Sequence, residues 1–405
     1  MPSKSISYVD IFCAVVDNYG DIGVSWRLAR HLANEHGIRV RLWVDDLRSF
    51  NKLCAEINVD LAEQYCRGVL VLRWADSAFT SLSDVSALAG SEMSISSAPT
   101  DLVIEAFACK LPEAYVLAMA AQHPPPVWIN LEYLSAEDWV AGCHRLPSPH
   151  PTLPLTKYFF FPGFTPETGG LLLEHDLLAR RDKFQADLSA QNVFWQRLGV
   201  PERKPRELRI SLFCYENSAA TDLLKAWSQG DFPVVCCVPQ GRVVGQVAEF
   251  FGRSSAQAGD SWRLGNLQVF VLPFVEQERY DELLWSCDIN FVRGEDSCVR
   301  AQWAGKPFVW HIYPQHDGIH MQKLPALAGL YGEELPKHMA LANENCWLAW
   351  NGEGDIISAW NSFIEQRVDL EQHAKAWSAK LSGNKLALNL LDFCREVGRI
   401  RAFEN

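Results

Sequence analysis

Short, uninterrupted apolar runs alternate with helical patterns along this chain, and the alternation occurs twice. In the first half the apolar runs lie at 8–16, 38–44, 69–74, 101–107 and 127–131, and a stretch such as 24–36 has its apolar positions at helical spacing. Strands of continuous apolar character are typical of a parallel sheet that helices cover on both faces. The first half is therefore predicted to be a Rossmann-like, doubly wound α/β domain.

A proline-rich stretch at 147–166 and a charged, helix-forming stretch at 174–197 interrupt this alternation. It restarts with apolar runs at 208–215, 233–238, 267–274, 289–292 and 307–312, with helical patterns such as 276–286 and 296–304 between them. A chain of 405 residues exceeds what one hydrophobic core usually supports. We predict Rossmann-like domains at 1–175 and 206–383, a linker at 176–205, and a C-terminal helix at 384–405 that packs back on the first domain.

Composition excludes several classes of protein. The net charge of −12 without a dense run of Lys or Arg disfavours nucleic acid as a partner. No window has the ~20 apolar residues of a membrane span. The 12 cysteines include no C-x-x-C pair, which favours free buried thiols in a reducing compartment, and a cytoplasmic location is expected. No D-x-D is present, and no carboxylate joins His311, His316 and His320 in a zinc motif, so no metal is expected.

The turn after the first predicted strand reads D-N-Y-G-D-I-G and contains the carboxylates Asp17 and Asp21. Ligands of open α/β sheets gather at the carboxyl ends of strands, so this turn faces the binding crevice. The spacing is not G-x-G-x-x-G, which disfavours a dinucleotide. Two carboxylates on one loop can orient a nitrogen or oxygen nucleophile and remove its proton. The alternative is that Asp21 only caps a helix that begins near Val24.

A second polar turn, R-G-E-D-S, follows a predicted strand of the second domain and begins the helix 296–304. The exposed N–H groups at a helix start favour a phosphate, and the planar fork of Arg293 can bind a diphosphate with two hydrogen bonds. Asp296 and Ser297 lie at this helix start, and Glu295 precedes them. The alternative is that the acidic pair Glu295 and Asp296 serves only as a helix cap.

Aromatic and amide residues mark two further strand ends of the second domain. Aromatic rings can stack on a nucleotide base while an amide binds its edge, although aromatics at strand spacing are usually part of the core. The residues in question are Phe213 and Tyr215, then Phe274 and Gln277. Their convergence at strand ends favours a nucleotide site. Tyr313 and Gln315, which precede a predicted helix near Asp317, are instead predicted to face a phosphate.

Five segments of the chain together resemble the protein-arginine rhamnosyltransferase family that modifies translation elongation factor P. They are D-N-Y-G-D-I-G-V-S-W-R-L-A-R, N-L-E-Y-L-S-A-E-D-W, P-F-V-E-Q, R-G-E-D-S and H-I-Y-P-Q. The resemblance covers nearly the whole chain. It implies an α/β fold of the GT-B type, in which two Rossmann-like domains face a central cleft. It also implies an inverting, metal-independent transfer of rhamnose from dTDP-β-L-rhamnose to an arginine of the factor, with no cofactor.

The resemblance also implies roles for individual residues. Asp17 and Asp21 would serve the acceptor arginine in the first domain, with Asp21 as general base, and Glu295 would be a further essential carboxylate. The donor nucleotide would contact Phe213, Tyr215, Phe274, Gln277, Arg293, Asp296 and Ser297, with Tyr313 and Gln315 near the sugar or phosphates. Rival interpretations are a GT-B enzyme with another sugar or acceptor, a nucleotide-sugar epimerase, or a non-catalytic nucleotide-sugar-binding protein.

Overall fold

The computed structural model describes residues 6–16, 19–74, 100–313 and 320–404, and the chain divides into two compact units. The first unit comprises Met1–Glu174 and Asn384–Asn405, and the second comprises His175–Gly383. Each unit is built around one sheet.

The sheet of the first unit has eight strands within the described residues. They are β1 (Tyr8–Cys13), β2 (Arg39–Val44), β3 (Glu63–Cys66), β4 (Val69–Arg73), β5 (Leu102–Ala106), β6 (Val127–Leu131), β7 (Pro147–Pro149) and β8 (Thr156–Phe160). Their order is β3-β4-β2-β1-β5-β6-β8-β7, and only the edge strands β3 and β7 pair antiparallel. The central strands are parallel, as the continuous apolar runs predict.

Helices cover this sheet on both faces. Those outside the gap at 75–99 are α1 (Gly20–His36), α2 (Leu47–Leu53), α3 (Glu113–Ala121), α4 (Trp139–Cys143) and the C-terminal α15 (Leu386–Glu404). Residues of α15 such as Leu390 and Leu391 are fully buried in the same core as Ile11 and Leu42 of the central strands. The chain therefore returns after the second unit to complete the core of the first unit.

In the part of the second unit that the structure describes, the sheet has six strands in the order β11-β12-β10-β9-β13-β14. They are β9 (Leu208–Leu212), β10 (Val234–Val238), β11 (Ser261–Leu264), β12 (Leu267–Val271), β13 (Ile289–Arg293) and β14 (Phe308–His311). The antiparallel pair β11–β12 lies at one edge, and the remaining pairs are parallel.

The helices of the second unit include the stretch that the sequence analysis assigned to a linker. They are α5 (Leu177–Ala186), α6 (Leu188–Arg197), α7 (Ser218–Gln229), α8 (Val243–Phe250), α9 (Gln277–Ser286), α10 (Asp296–Ala304), α11 (His320–Gly332), α12 (Lys337–Trp350), α13 (Ile356–Glu365) and α14 (Arg367–Leu381). Arg181 of α5 donates to the Trp303 carbonyl at 2.9 Å, and Gln185 donates to the Ala304 carbonyl at 3.0 Å. Helix α5 thus satisfies carbonyls at the end of α10 and forms part of the second unit.

Both sheets have a topological switch point, where successive connections leave in opposite directions. In the first unit this point lies between the neighbouring strands β1 and β5, and in the second unit it lies between β9 and β13. Open α/β sheets bind ligands outside the carboxyl ends of the strands at such a point. The turns that follow these four strands are therefore the expected positions of ligand-binding residues.

Candidate functional site

In the second unit, β13 ends in a tight turn that leads directly into α10. Gly294 has a φ of 60°, a left-handed conformation that favours glycine. The Ser297 hydroxyl accepts the Arg293 N–H at 3.0 Å and donates to the Arg293 carbonyl, and the Trp310 indole donates to the Gly294 carbonyl at 2.7 Å. These bonds hold the R-G-E-D-S segment as the strand, turn and helix that the sequence predicts.

The guanidinium of Arg293 lies between two aromatic rings from the turn after β9. Its central carbon is 4.3 Å from the ring centre of Phe213 and 4.8 Å from that of Tyr215, and Nη1 donates to the Cys214 carbonyl at 3.4 Å. The Arg293 side chain is buried. Both rings therefore orient the cation through cation–π contacts. A guanidinium with few accessible rotamers is suited to bind anionic oxygens with two parallel bonds.

The start of α10 adds backbone donors and carboxylates beside Arg293. Glu295 is the residue that precedes the helix, and its side chain makes no capping hydrogen bond, so the helix-cap alternative is wrong for Glu295. The Asp296 carboxylate accepts the side-chain amide of Gln277 at 3.3 Å, which joins the first turns of α9 and α10. The leading N–H groups of α10 have no partners within the helix and give this end positive character.

The remaining donor-site candidates lie on neighbouring turns. Tyr313 follows β14, is partly exposed, and packs edge-on against Tyr215 with 5.5 Å between ring centres. Phe274 follows β12 and is also partly exposed. Gln315 lies outside the described residues. The structure thus brings Phe213, Tyr215, Arg293, Ser297 and Tyr313 into one connected cluster.

In the first unit, Asp21 lies in the first turn of α1 and its side chain is almost fully buried. The helix begins at Gly20, four residues before the predicted start, and the residue that precedes it, Tyr19, makes no side-chain cap. One Asp21 carboxylate oxygen accepts the N–H of Val16, which lies outside the helix, at 2.9 Å. The alternative that Asp21 caps a helix beginning near Val24 is therefore wrong. Asp17 lies outside the described residues.

A buried ion pair that sequence patterns do not predict supports the donor-site cluster. Asp281 of α9 accepts two hydrogen bonds from Arg300 of α10, each 2.7 Å long, and both side chains are buried. This bidentate pair joins the helices that begin with Gln277 and Asp296. No sequence signal relates the two residues, because they lie on separate helices whose packing only the fold reveals.

The described part of the chain contains no group of three or more His, Cys, Asp or Glu side chains placed to hold a metal ion. None of its helices is long and apolar enough to cross a membrane. All twelve cysteines lie in the described ranges and carry free thiols, most of them buried.

Two Rossmann-like sheets, one with an oriented guanidinium and a helix start at its switch point, are the architecture of GT-B glycosyltransferases. A solved structure described as the structural basis for EarP-mediated arginine glycosylation of translation elongation factor EF-P is 37% identical to this chain. It aligns with a TM-score of 0.67 over 96% of this chain and 99% of its own. A glycosyltransferase from Rickettsia africae, 10% identical with a TM-score of 0.51, shares the fold.

The chain belongs to the family described as elongation factor P (EF-P) rhamnosyltransferase EarP, which matches residues 9–395. It is similar to the protein-arginine rhamnosyltransferase of Pseudomonas putida, with 50% identity over 95% of this chain and 98% of the relative. The protein of the same name from Pseudomonas aeruginosa is 47% identical over 91% of this chain and 93% of its own length. The chain is accordingly an enzyme of the glycosyltransferase class.

Proposed function

We propose that this enzyme transfers rhamnose from dTDP-β-L-rhamnose to an arginine side chain of translation elongation factor P, with inversion at the anomeric carbon. The observation that carries the proposal is the buried, hydrogen-bonded carboxylate of Asp21 in a chain whose relatives are named protein-arginine rhamnosyltransferases. An arginine acceptor needs such a group, because its guanidinium stays protonated in water and is not a nucleophile in that form.

The second unit is assigned to binding the sugar-nucleotide donor. The guanidinium of Arg293 and the N–H groups at the start of α10 are directed to the diphosphate, as positive groups that favour phosphate oxygens. The partly exposed ring of Phe274 is assigned to the base, and Tyr313 to the sugar or phosphates. The rings of Phe213 and Tyr215 support this site by orienting Arg293 as well as by contacting the nucleotide.

The first unit is assigned to the acceptor. Asp21 takes a proton from the guanidinium as a nitrogen of that group attacks the anomeric carbon. The new carbon–nitrogen bond forms on the face opposite the departing oxygen, and the bond between the anomeric carbon and the diphosphate breaks. The electron pair of that bond leaves with dTDP, whose added negative charge Arg293 and the α10 N–H groups stabilise. Asp17 is assigned to orienting the guanidinium, and Glu295 of the second unit is assigned only as a further essential carboxylate.

The test is mass spectrometry of purified elongation factor P after incubation with this enzyme and dTDP-rhamnose. We expect a mass increment of one deoxyhexose on a single arginine, located by fragmentation. Parallel reactions with dTDP-glucose and UDP-glucose test the choice of donor. No increment with any donor, although both proteins are folded and dTDP binds, would overturn the proposal; transfer only from another sugar nucleotide would replace rhamnose by that sugar.

A further inference from the structure

The turn after β5, residues 107–110, has an unusual backbone. Phe107, Ala108 and Lys110 have φ values of 57°, 54° and 57°. Left-handed conformations are uncommon outside glycine and are strained for a bulky residue such as Phe. Strain of this kind persists only where the surroundings hold it, and it concentrates at functional sites.

A set of hydrogen bonds to neighbouring strands holds this turn in place. The Phe107 N–H donates to the Leu131 carbonyl at 2.7 Å, and the Ala108 N–H donates to Asn130 Oδ1 at 3.0 Å. The Lys110 N–H donates to Glu105 Oε1 at 3.1 Å, and the Cys109 thiol donates to the Phe12 carbonyl at 3.4 Å. The acceptors lie on β5 itself and on its two neighbouring strands, β1 and β6. The turn is therefore a preorganised element, which is what a recognition surface requires.

The turn brings an aromatic pair and a carboxylate together at the end of β5 and β6. The ring of Phe107 stacks on that of Tyr133 with 4.6 Å between centres and 20° between planes, and Tyr133 is 36% exposed. Glu132, the neighbour of Tyr133, is half-buried and receives a bond from the Asn130 amide. Burial raises the pKa of the Glu132 carboxyl, and the positive charge of Lys157 opposes this only in part. A cation from a partner would stabilise the ionised form of Glu132.

These residues and Asp21 follow the carboxyl ends of strands in the same sheet. Strands β1 and β5 are neighbours, with Phe12 opposite Glu105, and Asp21 follows β1 as Phe107 follows β5. Burial raises the pKa of the Cys13 thiol at the end of β1, and the charge of Asp21 raises it further. The two turns therefore flank the switch point of the first unit, as the Arg293 and Tyr215 turns flank that of the second unit.

We propose that Phe107, Glu132 and Tyr133 form a docking surface for the arginine-bearing loop of the acceptor protein. The inference rests on the proposed function, since it names the groups that present the acceptor to Asp21. The chemistry suits a loop that carries a guanidinium: aromatic faces bind flat cations, and a carboxylate pairs with them through charge-assisted bonds. Tyrosine is also enriched among the residues that contribute most of the binding energy in protein interfaces.

The experiment measures steady-state transfer to elongation factor P and, separately, binding of that factor to the enzyme by calorimetry. Tyr133→Ala should raise both the acceptor KM and the acceptor Kd at least about tenfold, the loss expected for an aromatic anchor. Glu132→Gln should change both in the same direction. The kcat at saturating acceptor and the affinity for dTDP should stay at wild-type values, which a damaged fold would not allow.

Two further variants serve as controls. Tyr133→Phe keeps the stacked ring and should retain the wild-type acceptor KM. Tyr65→Ala removes another exposed tyrosine, from β3 at the far edge of the same sheet, and it should change neither KM nor Kd.

The outcomes separate this inference from the proposed reaction. If the wild-type enzyme transfers the sugar and both Tyr133→Ala and Glu132→Gln keep its acceptor KM and Kd, the docking surface is wrong and the reaction stands. If the wild-type enzyme binds the factor through Tyr133 but transfers nothing, the surface stands and the reaction is wrong. If it neither binds nor modifies the factor, both are wrong.

Discussion

Asp21 is held by a hydrogen bond that survives removal of its charge. Its carboxylate accepts the Val16 N–H at 2.9 Å, and the amide oxygen of an asparagine could accept the same N–H. Asp21→Asn should therefore keep the turn while losing the general base. We expect the single-turnover rate of sugar transfer to fall by roughly 10²- to 10⁴-fold, the usual contribution of a positioned base, with the calorimetric affinity for dTDP unchanged.

The chain offers a matched control for that substitution. Asp45 accepts the N–H of the adjacent Val15, also at 2.9 Å, and its side chain is exposed. Asp45 follows β2, and Asp45→Asn removes a charge that contacts the Asp21 loop through Val15 without touching the proposed base, so its transfer rate should equal that of the wild type. A full rate in Asp21→Asn, or an equal loss in Asp45→Asn, would show that Asp21 is not the base.

Arg293 combines a charge with a shape, and a lysine can replace only the charge. Its guanidinium fits between Phe213 and Tyr215 and can present two parallel donors to a diphosphate. Arg293→Lys should weaken dTDP binding by roughly tenfold or more, the loss expected for a charged hydrogen bond, as measured by calorimetry. Arg253→Lys, at an exposed arginine of the same unit, should leave the affinity unchanged. Unchanged affinity in Arg293→Lys would assign Arg293 to packing alone.

At the scale of secondary-structure elements, the buried ion pair of Asp281 and Arg300 stabilises the packing of α9 against α10. Both side chains are almost inaccessible, with side-chain exposures of 3% and 1%. Asp281→Asn leaves a buried guanidinium without its counter-charge, which costs about 3–5 kcal/mol of unfolding free energy for such pairs. We expect a clear fall in the thermal unfolding temperature of the second unit.

An exposed ion pair in the same unit provides the comparison. Arg180 and Asp176 pair at 3.5 Å, with side-chain exposures of 48% and 61%. Solvent screens such a pair, so Asp176→Asn should leave the unfolding temperature unchanged. Equal losses in the two variants would contradict a special role for the buried pair.

The C-terminal helix α15 tests whether the first unit needs the end of the chain. Leu390 is fully buried in the core of that unit, whereas Leu388 on the same helix is 43% exposed. Leu390→Ala should lower the unfolding free energy by about 2–5 kcal/mol, as deletions in a packed core do. Leu388→Ala should change it by less than about 0.5 kcal/mol. Denaturant unfolding followed by circular dichroism would measure both, and similar losses would show that α15 is not part of the core.

Over the whole molecule, sequence patterns predicted the two doubly wound sheets because their central strands are buried on both faces. Runs such as those of β1 and β10 have no polar alternation, and that requires cover on both sides. The edge strands β3, β7 and β11 were missed, because E-Q-Y-C, P-S-P and S-W-R-L are short and mixed in polarity. The inner strand β8 was also missed, because T-K-Y-F-F lies within the proline-rich stretch. The supposed linker is helical and docks through Arg181, a contact between distant residues that no local pattern encodes.

Sequence patterns likewise predicted some residues of the candidate site and missed others. Strand-to-helix turns and charged motifs predicted Asp21 and the R-G-E-D-S segment, because such turns repeat in every parallel sheet. The left-handed turn at Phe107 was missed, since no glycine marks it. The contact of Arg293 with Phe213 and Tyr215 also depends on which strands become neighbours, and that is a property of the completed sheet.

The final prediction concerns the acid stability of the whole protein. Burial lowers the pKa of His31, His36, His144 and His373, and for His144 the pKa falls from 6.5 to about 4. Between these two pH values the unfolded chain binds more protons at His144 than the folded chain does. Stability therefore rises with pH across this window and is lost as the pH falls from 6.5 towards 4.

His144→Asn should reduce that loss, because asparagine takes up no proton and can still accept the Phe161 N–H that Nδ1 of His144 accepts at 3.1 Å. The measurement is the thermal unfolding temperature at several pH values between 7 and 4. The variant should fall less steeply than the wild type, while His338→Asn, at an exposed histidine, should follow the wild-type curve. Parallel curves for His144→Asn and wild type would show that protonation of His144 does not drive acid unfolding.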